Sequence, residues 1–170
     1  MSGFAALNVI SLNSHEGWKN VDICPDFGAH EVYDITTGIR EPANSVELIW
    51  MGDIFEHLFR SKQDFVLKEC IRVLEPGGAL AVCVPDMTEV MKRWLAADGE
   101  AAELHALVWG QQGEQIEGRN ALPDSHLHGF TEQSLRKKLE KAGFSGVERV
   151  TIHGGACWYE LSMRATKGAA

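Results

Sequence analysis

Positive charge is in short supply in this chain: 16 lysines and arginines face 24 aspartates and glutamates, for a net charge of -8 over 170 residues. Docking on a phosphate backbone depends on neutralising it with cations, so DNA and RNA are not expected partners, nor is an anionic lipid surface. Long apolar runs are missing too. Nothing approaches the roughly 18 consecutive apolar residues that span a bilayer, and the opening residues lack the basic start and apolar centre of a signal peptide, which predicts a cytoplasmic protein with no membrane partner. Cysteine is sparse, and Cys24, Cys70, Cys83 and Cys157 never fall in a Cys-x-x-Cys pair. That predicts reduced thiols rather than a disulfide or zinc framework. Also absent are the Gly-x-Ser-x-Gly elbow of serine hydrolases and the glycine-lysine loop of phosphoryl transfer.

A more local absence lies in residues 7–22, LNVISLNSHEGWKNVD. The stretch opens like the first strand of a nucleotide-binding sheet and closes on Asp22, an acid able to hold a ribose. A chain passing tight against a cofactor wants glycine between the two, because a side chain crowds the ligand. Ile10, Ser11, Leu12 and Asn13 stand there instead. Ser11 and Asn13 offer polar contacts in place of bare backbone amides, whereas Ile10 turned inward blocks the space.

What is present patterns as alternating strands and helices in one domain, residues 1–170, whose length suffices for a core without staples. Short apolar runs at 6–10, 20–23, 31–35 and 46–51, bounded by Gly, Pro and Asn, read as strands. Residues 61–74 carry Phe65, Val66, Cys70, Ile71, Val73 and Leu74 at helical spacing and stop at Pro76-Gly77-Gly78, a sharp turn. The nearly continuous apolar run 79–84 predicts a strand buried on both faces, as in a parallel sheet covered by helices. A helix is expected over 89–107. Another is expected over 131–141, with Thr131 as N-cap and Gly143 as C-cap. Strands at 147–152 and 158–165 close the pattern as a hairpin. The stretch 110–129 is too long for an ordinary connection and is expected to be functional or mobile. Trp109 and Trp158, if exposed, would mark the surface of a possible homodimer.

Ligands of open α/β sheets sit beyond the carboxyl ends of the strands, so the residues just after each strand are the ones to weigh. Asp22 suits a ribose, or simply a turn. Asp34 suits an adenine amino group, or a turn. In IWMGDIFEHL, residues 49–58, a strand runs into Gly52, Asp53, Glu56 and His57. Gly52 permits close backbone approach, Asp53 could cap or orient, and His57 is a base near neutral pH or a packed histidine. In DSHLHGF, Asp124, His126 and His128 form a trio with no further ligand cluster. No metal site is expected there; the histidines are expected to line a pocket or bond to backbone.

Taken in order, the segments GWKNVDI, VYDI, NSVELIWMGDIFEHL, LKECIRVLEPGGALAVCVPDM and HGFTEQSLRKKLEKAGF make the chain resemble the class I S-adenosylmethionine-dependent methyltransferases. The closest likeness is to a small bacterial subfamily with a degenerate glycine motif. The resemblance implies an α/β, Rossmann-like, doubly wound and mostly parallel seven-stranded sheet with an antiparallel C-terminal hairpin. It implies S-adenosylmethionine bound by Asn8, Val9, Ser11, Asp22, Ile23, Asp34, Ile35, Met51 and Gly52. It leaves His57 or His126 as base, with Asp53 orienting. The acceptor is expected to be a small molecule or glycan. The missing glycines keep a second reading open: a catalytically silent, methyltransferase-like binding or partner protein.

Overall fold

The computed structural model describes residues 6–9, 18–23, 25, 29–97, 102–110, 125–151 and 157–169. Seven strands, β1 (Ala6–Val9), β2 (Lys19–Asp22), β3 (Glu31–Val32), β4 (Val46–Gly52), β5 (Leu74–Pro85), β6 (Phe144–Val150) and β7 (Glu160–Lys167), form one sheet in the order β3-β2-β1-β4-β5-β7-β6. β1 to β5 run parallel, and β7 runs antiparallel to both β5 and β6. Four helices accompany them: α1 (Arg60–Val73), α2 (Met87–Ala96), α3 (Ala102–Trp109) and α4 (Glu132–Ala142).

The sheet packs where apolar side chains alternate onto one face. Ile49 and Met51 of β4 and Leu80 and Val82 of β5 are fully buried. α1 buries Val66, Leu67, Cys70 and Val73 at helical spacing and leaves Phe65 exposed. Each aliphatic side chain so buried contributes about 1.5–3 kcal/mol. α4 is held at both ends. Thr131 and Ser134 form a reciprocal capping box, and Gly143 closes the helix at φ 109°, a left-handed conformation that glycine adopts without a Cβ clash.

Three elements differ from the sequence expectation, each for a local reason. The strand expected over 31–35 ends at Val32, because Asp34 turns back on the chain. Its Oδ1 accepts from the Thr36 amide at 2.8 Å and its Oδ2 from the Thr36 hydroxyl at 2.9 Å, starting a 3-10 turn over Ile35–Thr37. The Pro76-Gly77-Gly78 turn does not separate α1 from β5: the helix ends at Val73 and the strand begins at Leu74. Pairing runs Val46 with Leu74 and then Leu48 with Ala79, so the three extra residues are accommodated as a bulge within β5. A Cβ on Gly78 would lie 2.9 Å from the carbonyl oxygens of Glu47 and Glu75, which is why glycine stands at this crowded point. The single helix expected over 89–107 is two helices, α2 and α3. α2 starts two residues early because the Asp86 side chain accepts from the Thr88 amide.

Register fixes the functional edge. Val9 lies opposite Val21 and Met51, and Met51 lies opposite Val82. Asp22, Gly52 and Cys83 therefore sit one residue further on, at a common carboxyl edge. Strand order reverses between β1 and β4, where open α/β sheets leave a crevice for ligands.

Candidate functional site

Two groups of side chains occupy this edge. The first surrounds β2. Asp22, its last residue, is 5% exposed, and its carbonyl accepts from the Tyr33 amide at 2.9 Å. An acid so deeply placed at the carboxyl edge is costly unless something polar meets it. Its sequence neighbours behave differently. Ile23 is exposed, Ile35 is buried in the core, and both carboxylate oxygens of Asp34 serve the 3-10 turn. The turn reading accounts for Asp34, and core packing accounts for Ile35. Asn8 and Val9 belong to β1, while Ser11 lies outside the described residues.

The second group follows β4. Met51 is fully buried within the core, not open to the crevice. A Cβ on Gly52 would come 2.8 Å from the Trp50 indole nitrogen, so glycine here makes room for a neighbouring indole. Asp53 takes φ 51°, a left-handed backbone that Asp tolerates better than most residues, and its amide donates to the Cys83 carbonyl at 3.0 Å. The expected capping by Asp53 does not occur: the next turn, Phe55–His57, has Ile54 at its N-cap and no side-chain cap bond. Buried Gln63 of α1 instead steadies the far side of this turn, its Nε2 donating to the carbonyl of Leu58 at 3.2 Å.

That turn carries Glu56 inward. Glu56 is 1% exposed and neither carboxylate oxygen has a hydrogen-bond partner. Burial pushes its carboxyl well above the usual range, and repulsion from Asp53 adds to the shift; its own backbone amide pulls weakly the other way.

Two imidazoles stand beside it. His57 Nδ1 lies 3.0 Å from the Ser125 carbonyl, and His126 Nδ1 lies 2.9 Å from the Leu107 carbonyl. A carbonyl can only accept, so both rings carry their proton on Nδ1 and the lone pair on Nε2. The rings meet edge to face with centroids 4.8 Å apart. Burial lowers the His126 pKa, against the opposing pull of the Leu107 carbonyl and Asp53, so this ring is neutral at neutral pH.

The segment that delivers His126 is fastened from several sides. The Leu127 and His128 amides both donate to the Glu56 carbonyl, at 2.8 and 3.1 Å, and the His126 amide donates to the Trp109 carbonyl at 3.1 Å. Phe130 stacks on Phe55 beneath the turn, with centroids 5.3 Å apart. A shallow depression, closed to a bound molecule in this conformation, lies beside the group and is lined by Glu56, Met87, Leu107, His126, His128 and Phe130.

As expected for the DSHLHGF histidines, His126 bonds to a backbone carbonyl, and His126 and His128 line the depression. Asp124 lies outside the described residues, and His128 packs edge-on against Phe130. Glu56, His57 and His126 come together instead, their ligand-capable atoms within 4.8 Å of one another. Local spacing could not show this, since His57 and Ser125 stand 68 residues apart along the chain. The available signal was the adjacency of Glu56 and His57 on one turn.

Trp109, 42% exposed, packs edge-on against Trp94 and at a tilt against His105, and Trp158 lies under the Arg93 guanidinium at 3.7 Å. Cys70 and Cys83 are buried thiols whose pKa values are raised by burial. No described helix is long and apolar enough to cross a membrane.

Comparison with known proteins agrees with this architecture. Residues 21–82 match the model of a methyltransferase domain family. No curated protein matches the chain. Among solved structures, the chain is similar to a SAM-dependent methyltransferase of Thermotoga maritima, a possible histamine N-methyltransferase. The two share 15% identity over 88% of this chain and 73% of that one, with a TM-score of 0.57. A SAM-dependent methyltransferase of Methanosarcina mazei gives 15% identity over 89% and 82%, with a TM-score of 0.58. The 1,6-didemethyltoxoflavin-N1-methyltransferase of Burkholderia thailandensis, solved with 1,6-didemethyltoxoflavin and S-adenosylhomocysteine, gives 16% identity over 90% and 63%, with a TM-score of 0.52. The chain has a methyltransferase-like α/β fold and resembles the class I S-adenosylmethionine-dependent methyltransferase superfamily in both family model and fold.

Proposed function

We propose that this protein transfers a methyl group from S-adenosylmethionine to a small-molecule or glycan-type acceptor. The observation that carries the reading is the buried carboxylate of Asp22 at the carboxyl edge of β2, next to the strand where the sheet order reverses. A carboxylate so placed suits a ribose, whose two adjacent hydroxyls each donate to it. When bound, the cofactor supplies an electrophilic methyl on a sulfonium that departs as a neutral thioether.

The chain's own part is to align and deprotonate. The depression beside Glu56 and His126 lies past β4 and β5, across the reversal point from Asp22. An acceptor brought within hydrogen-bond reach of the His126 Nε2 can give up its proton there. The backbone carbonyls of Ser125 and Leu107 fix the two rings in the needed tautomer. The family match and the similar solved structures, one of them holding S-adenosylhomocysteine, support the reading.

Calorimetric titration with S-adenosylmethionine and S-adenosylhomocysteine tests it. Binding by the native chain, weakened about ten- to a hundredfold in Asp22→Ala as two charge-assisted hydrogen bonds are lost, is the expected result. Absence of binding heat with either ligand would replace this reading with that of a silent scaffold.

A further inference from the structure

The proposed reaction leaves Glu56 without a task. A carboxylate 1% exposed, with both oxygens unpartnered, is an expensive thing to keep inside a protein, costing roughly 1–3 kcal/mol for each unsatisfied group. Packing does not require it, since an apolar side chain would fill the same place without that cost. Something must meet those oxygens.

We propose that Glu56, His57 and His126 form the binding site of a divalent first-row transition-metal ion. The ligand-capable atoms of the three lie within 4.8 Å of one another. Bonds of about 2.0–2.2 Å to an ion would draw them together to roughly 3–4.4 Å, an adjustment within side-chain rotation. The imidazoles are already prepared. Each gives its Nδ1 proton to a backbone carbonyl, Ser125 for His57 and Leu107 for His126. Such a bond orients the ring and raises the basicity of the Nε2 lone pair, as is usual for metal-bound histidine.

Two imidazoles and one carboxylate favour Zn, Mn, Fe or Co over Mg and Ca, which prefer all-oxygen surroundings. Three protein donors also leave coordination positions open. If the proposed methyl transfer holds, an ion on the His126 Nε2 takes the lone pair that the reading above gives to proton removal, so those positions would suit an acceptor oxygen whose proton the ion makes easier to lose, and only this part of the inference rests on that reading. The nearby acid Asp53 adds negative charge that favours a cation.

The experiment uses the full chain, stripped with a chelator and titrated with Co2+ alone, following ligand-field absorption, with Zn2+ competition measured by calorimetry. One ion per chain is expected. Glu56→Gln and His126→Ala should each weaken binding roughly a hundredfold or more, at or beyond the upper end of losses seen for outer-shell partners. Exposed His105, on α3, serves as the control for adventitious surface binding: His105→Ala should bind as the native chain does. No saturable Co2+ binding, or equal affinity in native and Glu56→Gln protein, overturns the proposal. Should Glu56→Gln misfold, His126→Ala decides by the same criterion. S-adenosylhomocysteine binding is followed in parallel; its loss with metal binding intact would sink the methyl-transfer reading alone.

Discussion

Asp86 and Glu56 are two buried acids near the carboxyl ends of adjacent strands, and the fold treats them in opposite ways. Asp86, 2% exposed, caps α2 by accepting from the Thr88 amide at 3.0 Å and pairs with Arg149 at 3.1 Å. Glu56, 1% exposed, pairs with no cation, and nothing beyond the pull of its own backbone amide meets its carboxylate oxygens. Burial is common to both, so burial alone marks nothing. The difference lies in satisfaction: the acid whose oxygens are answered holds the fold together, and the one whose oxygens are not is kept at a cost to stability.

The largest test of that contrast is Asp86→Ala. It removes a helix cap, strands the Thr88 amide and takes from Arg149 its buried carboxylate partner, so unfolding by denaturant should show a loss of about 3 kcal/mol. A loss under about 1 kcal/mol would break the comparison.

Glu56→Gln should move stability the other way. Because the folded pKa of Glu56 is raised, the native state holds its proton at pH values where the unfolded chain has lost it. Stability then falls as pH rises from the ordinary carboxylate pKa toward the folded value. The glutamine variant escapes that fall. In chelated protein it should gain about 1–2 kcal/mol near neutral pH and nothing at about pH 4, read from paired melts across the range. A uniform loss at all pH values would contradict it.

Two smaller substitutions sharpen the picture around Asp86. Thr131→Ala removes the α4 cap and should cost about 1 kcal/mol in thermal melts, leaving any metal-dependent signal unchanged. Arg149→Ala strips the cation but leaves the cap. With the Arg149 side chain 43% exposed and its pair screened by solvent, the loss should stay near 0.5 kcal/mol and shrink with added salt.

Local chemistry was largely legible in the residues. The cap at Thr131 with Gly143 and the apolar 79–84 run announced α4 and β5, because capping and burial act within a few residues. Where a side chain competed with the backbone, pattern misled: Asp34 cut β3 short, and the Pro76-Gly77-Gly78 bulge looked like a turn between elements. The edge itself was legible only in part. Asp22 stands buried at it, but Met51 faces the core, a matter of strand register that periodicity does not fix to one residue, and Ile35 reaches the core from the turn that Asp34 starts. Glu56 was visible only as half of a Glu-His pair. Its neighbour His126 arrives from a distant segment, and no rule of spacing predicts a contact made by tertiary folding.

The paired amide bonds from Leu127 and His128 to the Glu56 carbonyl carry one last consequence. They tie together stretches far apart in the chain, so the loop between them must be closed, with its entropic penalty met, before the cluster exists at all. Chemistry at this spot is consequently a late arrival in folding. The Glu56, His57 and His126 cluster is whole only once the 125–130 segment has docked on the turn after β4.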